Sequence, residues 1–128
     1  MILGIGVDLV EVARIEQSIA RHGDKFVQRI FTTGEIAYCS RMKSPGPNYA
    51  VRFAAKEALA KAFGTGIGDS IGWLDIDVQR KRSGEPFIVL LGEGANLATR
   101  RGVAEIFLSL SHTATCAVAQ VVLTGGEA

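Results

Sequence analysis

A run of strong helix formers in the middle of the chain constrains the fold more than any other stretch. From Arg52 it reads Arg-Phe-Ala-Ala-Lys-Glu-Ala-Leu-Ala-Lys-Ala-Phe, followed by Gly64. Alanine and leucine at this density predict a helix over about Tyr49–Phe63, with Gly64 as its C-cap. Asn48, after Pro45-Gly46-Pro47, reads as the N-cap. At roughly 100° per residue, Glu57 and Lys61 share a face, and Leu59 and Phe63 point the other way. Apolar residues therefore lie nearly all round, as in a buried helix. Glu57 and Lys61 are expected at least partly out of water, where charges need partners. Alone, such an i,i+4 pair is an ordinary helix-surface pair worth about 0.2–0.5 kcal/mol. The loop Gly64-Thr65-Gly66-Ile67-Gly68 follows, and loops of this kind can turn backbone N–H groups toward an anion.

The chain has 128 residues, enough for one domain with a real core, and a net charge of +1. That balance gives no bulk signal for nucleic acid or membrane. Hydrophobic content is 48%, which suggests surface buried against another chain. No apolar run is long enough for a membrane helix, and Met1 leads straight into a strand-like segment. Cys39 and Cys116 are the only cysteines; this usage favours reduced thiols in the cytoplasm.

Around the central helix the pattern is α+β. Ile2–Val10 reads as a buried strand with Leu3, Ile5, Val7 and Leu9 on one face and Gly4, Gly6 and Asp8 on the other. The glycines leave room for a backbone or a ligand. Asp8 reads first as an N-cap for the next helix. That helix, Glu11 to about Arg21, buries Val12, Ile15 and Ile19. Its Arg14, Ser18 and Arg21, continued by Lys25, form a partly basic stripe: a solvated face, or a dock for an acidic partner. A short helix follows over Asp24–Ile30. A third, reaching about Met42, is announced by a Thr32/Glu35 capping box and a Phe31/Ile36 staple. Ser44–Asn48 reads as a turn. Leu74, Ile76 and Val78 alternate as a strand, and Pro86–Leu91 returns as its hairpin partner. A short helix within Gly92–Gly102 precedes two apolar strands, Ala104–Ser111 and Thr115–Leu123, expected to pair antiparallel. His112 lies at their junction among Ser109, Ser111, Thr113 and Thr115, hydroxyls able to hold phosphate oxygens or simply to satisfy a turn.

Two carboxylates with room for water suit Mg²⁺, which takes a few carboxylates plus phosphate oxygens. Asp8 and Glu57 are the candidates, and Lys61, one turn beyond Glu57, would set a positive charge beside a phosphate. The one Gly-x-Ser-x-Gly string, Gly68-Asp69-Ser70-Ile71-Gly72, follows a helix rather than a strand, so it is not read as a nucleophile elbow. Direct transfer between two bound substrates is therefore more natural than a covalent enzyme intermediate.

Three stretches carry a family resemblance: Gly4-Ile5-Gly6-Val7-Asp8-Leu9-Val10-Glu11, the Arg52–Gly66 region around Lys56-Glu57-Ala58, and Leu108-Ser109-Leu110-Ser111-His112-Thr113. In order and content the chain resembles the short bacterial branch of the 4′-phosphopantetheinyl transferases, the holo-acyl-carrier-protein synthases. The resemblance implies a single domain over 1–128 with a long buried helix and a mainly antiparallel sheet. It implies Mg²⁺-dependent transfer of 4′-phosphopantetheine from coenzyme A to a serine of apo acyl carrier protein. Asp8 and Glu57 would bind the metal, a carboxylate or a metal-positioned water would take the serine proton, and Lys61 would neutralise or protonate the leaving phosphate. Coenzyme A contacts are implied for Lys61, Gly64, Thr65 and Arg52, for Ser83 and Pro86 in the hairpin, and for Ser111, His112 and Thr113. Arg14 and Arg21 match the helix that docks acidic carrier protein. A homotrimer with active sites shared between adjacent subunits is implied too, with His112 from the neighbour. One position departs: Glu85 stands where this branch often has lysine, which shifts the expected nucleotide contacts to Arg52 and Arg80. Competing readings are a non-catalytic coenzyme A or carrier-protein binding module, a Mg²⁺-dependent phosphohydrolase, and a domain cut from a larger synthase. The natural-looking Met1 start makes the last less expected.

Overall fold

A computed structural model describes residues 1–126. Five strands and five α-helices follow one another as β1 (Ile2–Glu11), α1 (Val12–His22), α2 (Asp24–Ile30), α3 (Thr33–Ser40), α4 (Pro45–Phe63), β2 (Ile76–Arg80), β3 (Pro86–Leu90), α5 (Gly92–Arg100), β4 (Val103–His112) and β5 (Cys116–Gly125). A single 3₁₀ turn, Trp73–Asp75, precedes β2. β1, β5 and β4 form an antiparallel sheet in that order, and β2 and β3 form a separate hairpin.

α4 lies across the inner face of the larger sheet. Gly4 and Gly6 make this possible, because a Cβ at either would collide with the backbone of Ala62 or Ala58. Sheet backbone and helix backbone thus touch through Gly4, Gly6, Ala58 and Ala62, closer than larger side chains permit. The room left by the glycines is filled by the helix. Val51, Ala54, Ala55, Ala58, Leu59 and Ala60 of α4 are fully buried, in one core with Ala117, Ala119 and Val121 of β5. The expected all-round burial of the helix holds.

Several boundaries differ from the sequence reading. α4 starts at Pro45, capped by Ser44; the prolines stand in the first turn, where a missing N–H costs nothing. Asn48 is therefore inside the helix, its amide reaching the Ser44 carbonyl at 3.4 Å. Leu74 belongs to the 3₁₀ turn and is 48% exposed. The Asp75 carboxylate accepts from Gly72 N–H, which folds this segment before the strand begins. The Thr32/Glu35 capping box is present with both bonds, and Gly64 caps α4 at φ 78°.

The outer face of the sheet is open. Ile5, Val7 and Leu9 on β1 and Phe107 on β4 are all more than half exposed. Ile5 and Phe107 flank Val122 of β5 in the ladder, so the apolar surface runs across strands. The expectation of a buried strand holds on one face only within the chain: the Gly4–Gly6–Asp8 side is covered, and the side with Ile5, Val7 and Leu9 is not. No helix of the described residues is long and apolar enough to cross a membrane.

Candidate active site

Asp8 and Glu57 line one cleft of about 390 Å³, with Phe53 and Phe26 as apolar walls and Arg14 and Ser18 of α1 at its side. The glycine contacts bring them there: Gly4 meets Ala62 and Gly6 meets Ala58, so the next residue on that strand face, Asp8, falls beside the preceding turn of the helix, with Phe53 and Glu57. Lys61 Nζ donates to Asp8 Oδ1 at 2.9 Å and to the Val7 carbonyl at 3.2 Å. Asp8 is therefore not the cap of α1. That position is Glu11, without a side-chain cap bond.

The three groups differ in setting. The Lys61 side chain is 51% exposed and that of Asp8 15%, so the lysine stands further into water than its place on a buried helix suggests. The hydrogen bond to Asp8 holds the Lys61 proton more tightly than usual. Burial pushes the Glu57 carboxyl above its ordinary range, and the Asp8 charge adds to this while Lys61 opposes it. Glu57 has no side-chain hydrogen bond among the described residues. Two hard carboxylates, one of them without a donor and disfavoured as an anion, are a fitting receptor for a divalent cation. No group of three metal-ligating side chains occurs among the described residues. The pair would leave further positions to water and phosphate oxygens, as Mg²⁺ prefers.

Other residues singled out from the sequence lie elsewhere. Arg52 is buried, stacks its guanidinium over Tyr38 at 4.2 Å and donates to the Asn48 carbonyl. It shares with Arg41 and Arg80 a second cleft of about 210 Å³. The Nε atoms of Arg52 and Arg80 are buried without a partner. Arg80 also holds the hairpin turn through the Gly84 carbonyl, beside Ser83 and Pro86. Glu85 is paired with Lys81 at 2.7 Å. The Gly64–Gly68 loop closes the helix rather than presenting free donors: the N–H groups of Gly64, Thr65 and Gly66 bond carbonyls of the last turn, and that of Gly68 bonds Ile71. The Thr65 hydroxyl donates to Gly66.

His112 is exposed at the end of β4 and does not line the Asp8–Glu57 cleft. In the ladder it pairs with Ala117, and Ala117 with Val10, so two strand spacings, roughly 10 Å, separate it from β1. Neighbouring Thr113 accepts from the N–H groups of Thr115 and Cys116 and shapes the turn. Ser111 lies exposed opposite Val118. Arg14, Ser18, Arg21 and His22 line a groove along α1, which continues past Lys25 and Arg29. The basic stripe is a real surface, and Arg14 joins it to the Asp8–Glu57 cleft.

Sequence reasoning missed a buried ion pair. Lys56 and Glu35 are paired at 2.7 Å with both side chains fully buried. Glu35 shows in the sequence only as a cap, and Lys56 only as a helix former. Their spacing along the chain carries no periodic signal.

Residues 4–119 match the model of the 4′-phosphopantetheinyl transferase superfamily. A holo-[acyl-carrier-protein] synthase of Solibacter usitatus is 50% identical over 123 residues, covering 96% of this chain and 98% of the relative. The crystal structure of the holo-[acyl-carrier-protein] synthase of Neisseria meningitidis superposes with a TM-score of 0.91 at 33% identity, over 97% of this chain and 99% of that one. The Helicobacter pylori holo-[acyl-carrier-protein] synthase, solved in complex with coenzyme A, gives 0.84 at 33% identity, over 94% and 99%. The chain thus belongs to the 4′-phosphopantetheinyl transferase superfamily, and within it to the holo-[acyl-carrier-protein] synthases.

Proposed function

We propose that this chain, as one catalytic domain over 1–128, transfers 4′-phosphopantetheine from coenzyme A to a serine of apo acyl carrier protein in fatty acid biosynthesis. The observation that carries the reading is the meeting of Asp8, Glu57 and Lys61 beside one cleft. Asp8 and Glu57 would hold Mg²⁺, which would supply positive charge to the coenzyme A pyrophosphate. The serine oxygen attacks the phosphorus that bears the pantetheine arm. Its proton passes to a carboxylate of the pair, and the bond to the second phosphate breaks. Adenosine 3′,5′-bisphosphate leaves. Lys61 neutralises or protonates the departing phosphate; a lysine whose proton is held tightly is suited to the first of these.

Arg52 and Arg80, each with a buried unpaired Nε, take a phosphate at the nucleotide end, with Ser83 and Pro86 beside them and Gly64 and Thr65 forming backbone surface. Arg14 and Arg21 dock the acidic carrier protein; Arg14 lies both in the docking groove and at the cleft, which sets the incoming serine near the carboxylates. The open sheet face supports a homotrimer, in which Ser111, His112 and Thr113 of an adjacent subunit complete the coenzyme A site. Cys39 and Cys116 are unpaired thiols, consistent with the cytoplasm.

The test is intact-mass analysis of apo acyl carrier protein incubated with this protein, coenzyme A and Mg²⁺. The carrier gains one phosphopantetheine, and EDTA abolishes the gain. Release of phosphopantetheine into water with no change in carrier mass would instead make the protein a hydrolase.

A further inference from the structure

The buried pair lies outside the lining of the Asp8–Glu57 cleft, and its polar atoms are fully engaged. Lys56 Nζ meets Glu35 Oε1 at 2.7 Å, the Ile30 carbonyl at 2.7 Å and the Trp73 carbonyl at 2.9 Å. All three donors of the ammonium are used. Glu35 Oε1 also accepts from Thr32 N–H at 2.8 Å, and Oε2 from Val78 N–H at 2.7 Å. The Thr32 hydroxyl extends the cluster to Asp77 at 2.7 Å. One ion pair thus joins α4, the end of α2, the start of α3, the 3₁₀ turn and β2.

Burial of this kind is weak evidence for stability, because apolar residues of similar volume often serve as well. What an ionic cluster adds is direction: each bond fixes a particular carbonyl or N–H, whereas apolar contact does not. One of the fixed carbonyls belongs to Trp73. The Trp73 ring stacks on Phe53, with centroids 4.9 Å apart and planes inclined by 27°. Phe53 is the residue one turn before Lys56 on α4 and forms a wall of the Asp8–Glu57 cleft. A continuous path therefore runs from Glu35 through Lys56 and Trp73 to Phe53 and the cleft. Lys56 also directly precedes Glu57, so its three anchors fix the rotation of α4 that presents Glu57.

We propose that Glu35 and Lys56 are positioning residues for the transfer: they set Trp73 against Phe53 and hold Glu57 toward the cleft. The proposal rests on the reading of the cleft as the transfer site. Removing the pair while keeping the fold leaves the cleft slack, and a small misplacement of reacting groups is expected to lower kcat by about tenfold or more. KM for the carrier protein stays within about twofold, because the docking residues Arg14 and Arg21 make none of these bonds.

The experiment uses Glu35→Leu/Lys56→Met, which replaces both charges together, and Trp73→Leu, which leaves the ion pair and the Trp73 carbonyl bond in place. The readouts are thermal midpoint, kcat and KM for carrier protein with coenzyme A and Mg²⁺, and near-ultraviolet circular dichroism with fluorescence. Trp73 is the only tryptophan, so its signal reports the stack on Phe53 directly. The expected result is a folded double variant with reduced kcat, preserved KM and an altered tryptophan signal, and a matching kcat loss in Trp73→Leu with little change in midpoint. A folded double variant with wild-type kcat and tryptophan signal overturns the proposal. If the double variant does not fold, Trp73→Leu decides alone: unchanged kcat, or a raised KM with kcat intact, overturns it. An inactive wild-type protein would sink the transfer reading instead, and the spectroscopic comparison would still show whether the pair sets the stack.

Discussion

Two lysines five residues apart on α4 serve opposite ends. Turned roughly 140° from each other around the helix, Lys56 faces the interior and Lys61 the sheet edge. Both meet a carboxylate at hydrogen-bond distance, 2.7 Å for Lys56 and 2.9 Å for Lys61. Lys56 is dry and every donor is engaged. Lys61 is half in water and bonded to a group that also faces an open cleft. The comparison teaches that proximity of charges alone does not separate a structural pair from a candidate reactive one. The saturated pair has nothing left to offer a substrate, while Asp8, Glu57 and Lys61 still have capacity for a cation and a phosphate.

The largest effect should come from breaking the dry pair. Lys56→Met alone leaves Glu35 charged and buried, and is expected to lower stability by about 3–5 kcal/mol. Urea unfolding measures this; a loss below about 1 kcal/mol would mean that water or a neighbour readily replaces the ammonium. Burial already pushes the Lys56 proton affinity down, against the opposing pull of Glu35.

The open pair responds to pH and metal instead. Because the folded chain raises the Glu57 pKa, the fold binds its proton more tightly than the unfolded chain does. Its contribution to stability is therefore favourable at low pH, and is lost as pH rises from 4.5 through the raised value. Glu57→Gln should accordingly raise the thermal midpoint at neutral pH without metal, and the difference should close below pH 4.5. Mg²⁺ should reverse the order by stabilising only the wild type, since binding to the native state alone raises its stability. A variant that still gains stability from Mg²⁺ would remove Glu57 from the metal site.

Arg14→Glu is the next step down. Charge reversal in the basic groove should raise KM for carrier protein by about tenfold, with coenzyme A binding measured by calorimetry unchanged. An equal loss for both substrates would place Arg14 within the cleft alone. The smallest effect concerns the thiols. Cys39 is fully buried and its pKa is pushed up to about 11, mainly by burial, so only Cys116 should react with a disulfide reagent in the native protein at pH 8. Two rapidly titrating thiols would show that α3 opens readily.

The sequence made much of this legible where the signal is local. The Thr32/Glu35 box, the Gly64 cap and the glycine–aspartate face of β1 all follow from neighbours within a few residues. Asp8 was ambiguous because a cap and a site carboxylate look alike until Lys61, distant in sequence, arrives beside it. The role of Gly4 and Gly6 was open for the same reason, since either a backbone or a ligand could fill the room. Glu35–Lys56 left no pattern at all, because Glu35 already had a sufficient local explanation. The alternation in β1 showed which face is apolar but not that this face stays open within the chain.

The most direct test sets transfer against stability for Lys61→Met. Intact-mass kinetics on apo acyl carrier protein and the thermal midpoint are measured on the same preparation. With Lys61 half in water, the pair contributes on the order of 1 kcal/mol, so the midpoint should move by no more than a few degrees, while transfer should fall by about 100-fold with the loss of charge at the leaving phosphate. Undiminished transfer would contradict the assignment of this pair to the chemistry.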